Sequence, residues 1–214
     1  MQIVSILDFD GTVVYEDVFE RLLDEFTRED WRYYDYLVEK GELRLEEAVS
    51  KQFDLIKHAG LNALFNASLK YLNLREGFND FIKYCEDKSI QIVIASAGLS
   101  FYIHHLIDQC NLKVKCYCMN VIEKDGSLLL FQPSYDKQRY KNFKQAIVNE
   151  YKEKGFFVVY IGDGFNDFWA AIDANLVFAV KNSVLEQKCK ESNLTFKSFL
   201  KFNEVIEELS KLEY

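Results

Sequence analysis

Apolar residues follow two rhythms along this chain. Near the start they run almost unbroken from Gln2 to Leu7 and stop at Asp8. A short apolar run closed by an acid predicts a parallel strand buried on both faces. From about Asp17 to Leu74 the spacing changes to threes and fours. Val18, Phe19, Leu22, Leu23 and Phe26 share one helical face, as do Leu45, Ala48, Val49, Phe53 and Ile56. Leu61 to Leu72 also reads as helix, so the stretch predicts a small all-helical insert.

Strand and helix patterns then alternate. Phe78, Phe81, Ile82 and Cys85 make a helix face; Ile90 to Ala95 is a buried strand, followed by Ser96-Ala97-Gly98 and a helix through Leu106. Val114 to Val121 is β-like, and Asp125-Gly126 between apolar runs signals a hairpin. Tyr140, Phe143, Ile147 and Tyr151 mark a helix that stops at Gly155. Phe156 to Ile161 is a strand ending in Gly162-Asp163-Gly164. Ala170 to Asp173 is helical, Leu176 to Val180 a short strand, and Asn203 to Leu212 a terminal helix. The fold class is therefore α/β: a Rossmann-like parallel sheet with a helical insert after the first strand. Such sheets bind ligands beyond the carboxyl ends of their strands, where Asp8, Ser96 and Asp163 all fall.

With 214 residues, 49 % of them hydrophobic, the chain can bury a full core. Its net charge of -8 argues against nucleic acid and anionic membranes as partners. No apolar run reaches the length of a membrane span, and the opening residues do not form a signal peptide. The five cysteines, an odd number, suggest reduced thiols and a cytoplasmic setting. Cys116-x-Cys118 has the wrong spacing for a zinc knuckle, and no second Cys or His pair answers it; alternate positions on a strand are expected there. The pattern sets no oligomeric state.

Two acidic clusters carry the chemistry. In Asp8-Phe9-Asp10-Gly11-Thr12, two carboxylates at an extended strand end point the same way and repel unless a cation or shared proton relieves them. In Gly162-Asp163-Gly164-Phe165-Asn166-Asp167, a second strand ends in an acid, with another one turn on. Carboxylates gathered from adjacent strand ends suit Mg²⁺, which takes a few of them plus water and phosphate oxygens. The Ser96 hydroxyl and the Ala97 and Gly98 N–H groups are expected to cradle an oxyanion at a helix start. Lys137, Lys141 and Lys144 each qualify as a cation nearby.

This set resembles the haloacid dehalogenase superfamily, whose four motifs are an Asp-x-Asp-x-Thr strand end, a Ser or Thr, a Lys, and a Gly-Asp-x-x-x-Asp loop. The resemblance covers nearly the whole chain. It implies a core of residues 1–15 and 75–214 and a helical cap of residues 16–74. It implies Asp8 as a nucleophile forming an aspartyl-phosphate, and Asp10 as acid then base. It places Mg²⁺ on Asp8, Asp163 and the backbone carbonyl of Asp10, assisted by Asp167, and phosphate on Ser96, Ala97, Gly98 and a lysine. Apolar residues three, four and seven further on select Lys144, with Lys141 second.

Within the superfamily the chain resembles the phosphoserine phosphatase branch, and more closely its methionine-salvage relatives, the 2-hydroxy-3-keto-5-methylthiopentenyl-1-phosphate phosphatases. The cues are Asp30-Trp31-Arg32, Gly41-Glu42-Leu43, Leu74 to Phe78, and Tyr160 to Asp163 followed by Ala170-Ala171. The resemblance implies a small phosphorylated metabolite as substrate. Positions near the carboxylate- and ammonium-binding residues of phosphoserine phosphatases hold Gln52 and Asp17. The missing arginine lowers phosphoserine, although Arg44 is a candidate substitute; Phe19, Trp31 and Tyr34 suit a thioether tail. A receiver-like signalling domain also uses acids, Mg²⁺ and lysine, but it lacks a second acid two residues on and a helical cap.

Overall fold

The computed structural model describes residues 2–212; Met1, Glu213 and Tyr214, at the outer ends of the expected core segments, lie outside them. Seven strands, β1 (Ile3–Leu7), β2 (Gln91–Leu99), β3 (Lys115–Lys124), β4 (Ser127–Phe131), β5 (Phe157–Gly162), β6 (Leu176–Val180) and β7 (Lys197–Phe199), form one sheet in the order β4-β3-β2-β1-β5-β6-β7. All neighbours run parallel except β4, which returns antiparallel on β3. Its turn is the expected hairpin: Asp125 and Gly126 both take positive φ, at 51° and 73°, which suits the twist of two antiparallel strands.

β1 lies mid-sheet and is buried at every position. Coverage on both faces favours apolar residues at successive positions, which is why the opening run shows no alternation, with the buried Ser5 as its polar exception. The chain turns to opposite sides of β1 after β2 and after β5, so loops following β1 and β5 open a crevice between them. Helices α5 (Phe78–Asp87) and α10 (Phe202–Leu209) pack together, as do α7 (Phe143–Glu153) and α8 (Phe168–Asp173). Phe202 sits 5.1 Å from both Phe78 and Phe81 and 5.5 Å from Phe199. Each such buried ring contributes about 1.5–3 kcal/mol, so the terminal helix is held by aromatic packing.

The helical insert comprises α1 (Val18–Phe26), α2 (Arg32–Glu39), α3 (Leu45–Ile56) and α4 (Leu61–Ser68). The chain leaves and returns side by side: Val14 bridges Leu74, Tyr15 N–H donates to Asn73 at 3.0 Å, and Arg75 N–H to Val13 at 2.8 Å. Asp17 caps α1, its carboxylate accepting from the Glu20 N–H at 2.9 Å. α2 has no buried residue of its own and hangs on the buried Trp31 just before it, so apolar spacing does not single it out.

Four local expectations shift. The helix from Leu61 ends at Ser68, whose hydroxyl bonds back to Phe65 at 2.6 Å. The helix marked from Tyr140 begins at Phe143, because the Asn142 side chain accepts from the Gln145 N–H at 3.0 Å and fixes the start there. The strand from Ile90 runs on to Leu99, with an irregular register between Ala95 and Leu99; Ser96 is therefore in strand, and α6 (Ser100–Gln109) starts later. Helix α9 (Val184–Glu191) and the three-residue β7 lie where the pattern predicts no element. No helix among the described residues is long and apolar enough to cross a membrane.

Candidate active site

β1 and β5 run side by side, pairing Leu7 with Ile161, and so deliver Asp8 and Asp163 to one edge of the sheet. A ligand oxygen from each of Asp8, Asp163 and Asp167 lies within 4.8 Å of the others. The turn at Gly11 takes φ +70°, and a Cβ there would sit 2.2 Å from an Asp163 oxygen, so only glycine lets the first loop close against the second acid. Thr12 donates its hydroxyl proton to Asp163 at 2.9 Å. Arg75 holds the same loop from below, donating to the Thr12 carbonyl at 2.7 Å and to that of Gly11, with its guanidinium 4.7 Å from the Tyr15 ring.

Lys144 enters from the first turn of α7 and is buried. Its Nζ lies 2.8 Å from Asp8 Oδ1 and 2.7 Å from Asp167 Oδ1. Asp167 also accepts from the Tyr160 hydroxyl at 2.6 Å and, at its other oxygen, from the Asp163 and Gly164 N–H groups at 2.9 and 2.8 Å. Asp167 therefore fixes Lys144 and the second loop, and stands with Asp8 and Asp163 in the acidic group whose oxygens lie close enough together to share a cation. Of the three candidate lysines, Lys144 alone reaches the acids; Lys141 lies 5.6 Å from the Trp169 ring, and the Lys137 carbonyl receives Arg44.

Asp10 Oδ1 accepts from the Val18 N–H at 3.1 Å, and Oδ2 from the Tyr102 hydroxyl at 2.7 Å. One acid thus joins the core loop, the first insert helix and α6. A Cβ on Gly98 would fall 2.1 Å from Asp10 Oδ2, so the Ser96-Ala97-Gly98 segment must lack a side chain at its third position. Ser96 Oγ accepts from the Gly98 N–H at 3.0 Å. The expected helix start is corrected: Ser96-Ala97-Gly98 lines the cleft at an irregular strand end, because α6 begins only at Ser100.

Burial and then the Asp167 charge push the Asp8 carboxyl up to about 7, against the pull of Lys144. Burial, followed by the Asp17 and Asp8 charges, raises Asp10 well above the usual carboxylate range. Asp163 is raised by burial and by Asp8 and Asp167. Burial pulls Lys144 down, but the Asp167 and Asp8 charges prevail and hold it above its ordinary value. Acids crowded this way are short of positive charge. Asp8 Oδ1 is buried and meets Lys144 Nζ at 2.8 Å as an ion pair. Three carboxylates that share one lysine make an oxygen-donor set that fits a hard divalent cation.

The cleft extends about 580 Å³ from this floor to the insert, where Phe19, Leu23, Trp31, Val49, Asp17 and Gln52 line it. Gln52 donates to Asp35 at 2.8 Å and to the Trp31 carbonyl at 3.3 Å. Arg44 does not face the cleft as a substitute arginine: it donates to the Lys137 carbonyl at 2.7 Å and the Tyr140 carbonyl at 3.3 Å, fastening α3 to the loop before α7. Tyr34 is not in the lining, whereas Phe19 and Trp31 are. Sequence reasoning missed Tyr102, Tyr160 and the bracing role of Arg75. Tyr160 left a trace, because a hydroxyl inside an apolar strand must find a partner.

An acid–lysine centre at the switch point of a parallel sheet, roofed by helices, marks an enzyme rather than a signalling domain. The model of the haloacid dehalogenase-like hydrolases matches residues 6–171, and the chain belongs to that family. It is 27 % identical, over 99 % of its length and 97 % of the relative's, to a 2-hydroxy-3-keto-5-methylthiopentenyl-1-phosphate phosphatase of Geobacillus thermodenitrificans. The protein of that name from Bacillus pumilus is 26 % identical over 91 % of this chain and 85 % of its own. Among solved structures, a phosphoserine phosphatase described as a phospho-aspartyl intermediate analogue superposes with a TM-score of 0.76, at 20 % identity, over 97 % of this chain and 98 % of that one. The expected family and fold class stand.

Proposed function

We propose that the chain hydrolyses a small phosphomonoester through an aspartyl-phosphate on Asp8. The observation that carries this reading is the buried Asp8 carboxylate, paired with Lys144 at 2.8 Å and with an oxygen within 4.8 Å of one of Asp163. Asp8 Oδ1 attacks phosphorus, and the P–O bond to the leaving alcohol breaks. Lys144 offsets the charge of the nucleophile and of the transferring oxygens. Asp10 delivers a proton to the leaving oxygen, and its raised affinity for that proton suits the task. The Tyr102 hydroxyl can donate to the ionised Asp10 or accept from its acid form, so the bond survives both states. In the second half-reaction Asp10 takes a proton from water, which cleaves the intermediate. Asp8, Asp163 and the backbone carbonyl of Asp10 would hold Mg²⁺, with Asp167 assisting; the ion would supply charge neutralisation at the phosphate.

The helical insert, residues 16–74, serves as the cap that selects the leaving group. Arg75, the arginine that lines the cleft, is spent on backbone carbonyls, and Arg44 lies outside the lining, so beyond the buried Lys144 the described lining offers a carboxylate only the exposed Lys181. An unpaired carboxylate entering there costs several kcal/mol. Phe19, Leu23 and Trp31 offer apolar surface for an uncharged or thioether-bearing chain. The substrate named in its relatives, 2-hydroxy-3-keto-5-methylthiopentenyl-1-phosphate, fits these walls better than phosphoserine. Free thiols at all five cysteines are consistent with a cytoplasmic setting.

Phosphate release from a panel of phosphoesters, with Mg²⁺ and with chelator, tests this. The methylthiopentenyl ester should be cleaved faster than phosphoserine, and chelator should stop both. Turnover that ignores chelation, or an Asp10→Asn variant with full rate on a poor leaving group, would overturn the mechanism. A preference for phosphoserine would overturn the substrate.

A further inference from the structure

We propose that His104, Cys116 and Cys118 form a binding site for one thiophilic metal ion, Zn²⁺, separate from the acidic centre. Cys116 and Cys118 are alternate residues of β3 and so present their thiols on one face of the strand. Helix α6 packs on β3, and His104 brings its ring to the pair, with Nε2 3.9 Å from Cys118 Sγ. One donor atom from each of the three lies within 4.8 Å of the others. None of the three residues lines the cleft around Asp8.

Spacing and chemistry both favour a metal. A tetrahedral Zn²⁺, with bonds of about 2.3 Å to sulfur and 2.0–2.1 Å to nitrogen, sets its donors about 3.5–3.8 Å apart. The observed separations reach that range by small side-chain rotations. A disulfide demands far more: sulfurs about 2 Å apart on Cα atoms that an extended strand holds about 6.6 Å apart, near the outer limit for such a bridge. Both cysteines are free thiols. Two thiolates and an imidazole are soft ligands that Mg²⁺ declines, so the two sites sort their ions by chemistry. Coordination breaks two S–H bonds, the protons going to solvent, while the imidazole binds in its neutral form. No fourth His, Cys or carboxylate among the described residues joins the group, which leaves one position for water. The Cys-x-Cys pair that lacked a partner along the chain acquires one across the fold.

Co²⁺ titration of the reduced full-length chain in saturating Mg²⁺ tests this. A thiolate-to-cobalt charge-transfer band reports sulfur ligands and is silent to carboxylates. The expected result is saturation at one Co²⁺ per chain with a tetrahedral visible spectrum, bleached by one equivalent of Zn²⁺. His104 is exposed, so His104→Ala should leave the fold and Mg²⁺-dependent phosphate release within twofold, yet weaken Co²⁺ binding at least tenfold. Cys116→Ser and Cys118→Ser should lose the band, and Cys110→Ser should keep it. Absence of the band in the folded chain, its survival in both serine variants, or an unchanged titration in His104→Ala would each overturn the proposal.

Discussion

On the floor of the cleft, contacts span the chain: Thr12 reaches Asp163 across 151 residues, Tyr102 reaches Asp10 across 92, and Lys144 meets both Asp8 and Asp167. On the wall, partners are near neighbours: Asp17 caps its own helix three residues on, and Trp31 Nε1 donates to Asp24 seven residues back. Most of the floor is buried, and its Gly11, Gly98 and Gly162 tolerate no Cβ; the wall keeps Glu20 and Asp17 open to water. Interlocked buried groups allow one arrangement, whereas a locally braced, hydrated face can change residues without disturbing the sheet. Chemistry is therefore fixed on the floor, and selection is left to the wall.

The sharpest break of that contrast is Asp8→Asn, which removes the nucleophile and should lower phosphate release at least about 10³-fold while circular dichroism stays native. Next comes Lys144→Met. It strands two buried carboxylates, and we expect a loss of about 3 kcal/mol in urea unfolding and about 10²-fold in turnover. On the wall, Gln52→Arg adds the missing cation. Phosphoserine should gain about tenfold in kcat/KM, as one charge-assisted bond of about 1.5 kcal/mol implies, with stability changed little. A loss of stability like that of the floor variant would erase the distinction between the two regions.

The smallest effect is on pH and metal. Asp8 is raised to about 7 in the folded chain, against an unfolded value of about 3.9. The metal-free folded state thus holds this proton more tightly than the unfolded chain, so its stability falls as pH rises from about 4 to about 7. Mg²⁺ binds the ionised acid. At a hundredfold excess over Kd it should raise Tm by roughly 5–10 °C at pH 8 and by much less at pH 5. Differential scanning at the two pH values measures this, and equal shifts would refute it.

Much of the site was legible because its residues close apolar strands. Asp8 and Asp163 follow unbroken runs, and the glycines beside them mark the turns. Lys144 was separable from Lys141 only through the helix it opens. Ser96 was misplaced because Ala95, Ala97 and Gly98 carry no helical or turn signature that would show the strand continuing past its apolar stretch. α9 went unseen because only Leu185, Glu186 and Cys189 of it are buried, too few to set a period. Tyr102 looked like one more core aromatic, since its partner lies on another element.

The sequence by itself determined the alternation of strands and helices, the helical insert, and which acids end which strands, because periodicity and turn chemistry act over a few residues at a time. The tertiary structure decided how those ends are used. It set Lys144 between Asp8 and Asp167, turned Arg44 away from the cleft, and brought His104 over two cysteines. These outcomes depend on which atoms meet across the fold, and a hydrogen bond or a metal ligand set is defined by that meeting rather than by position along the chain.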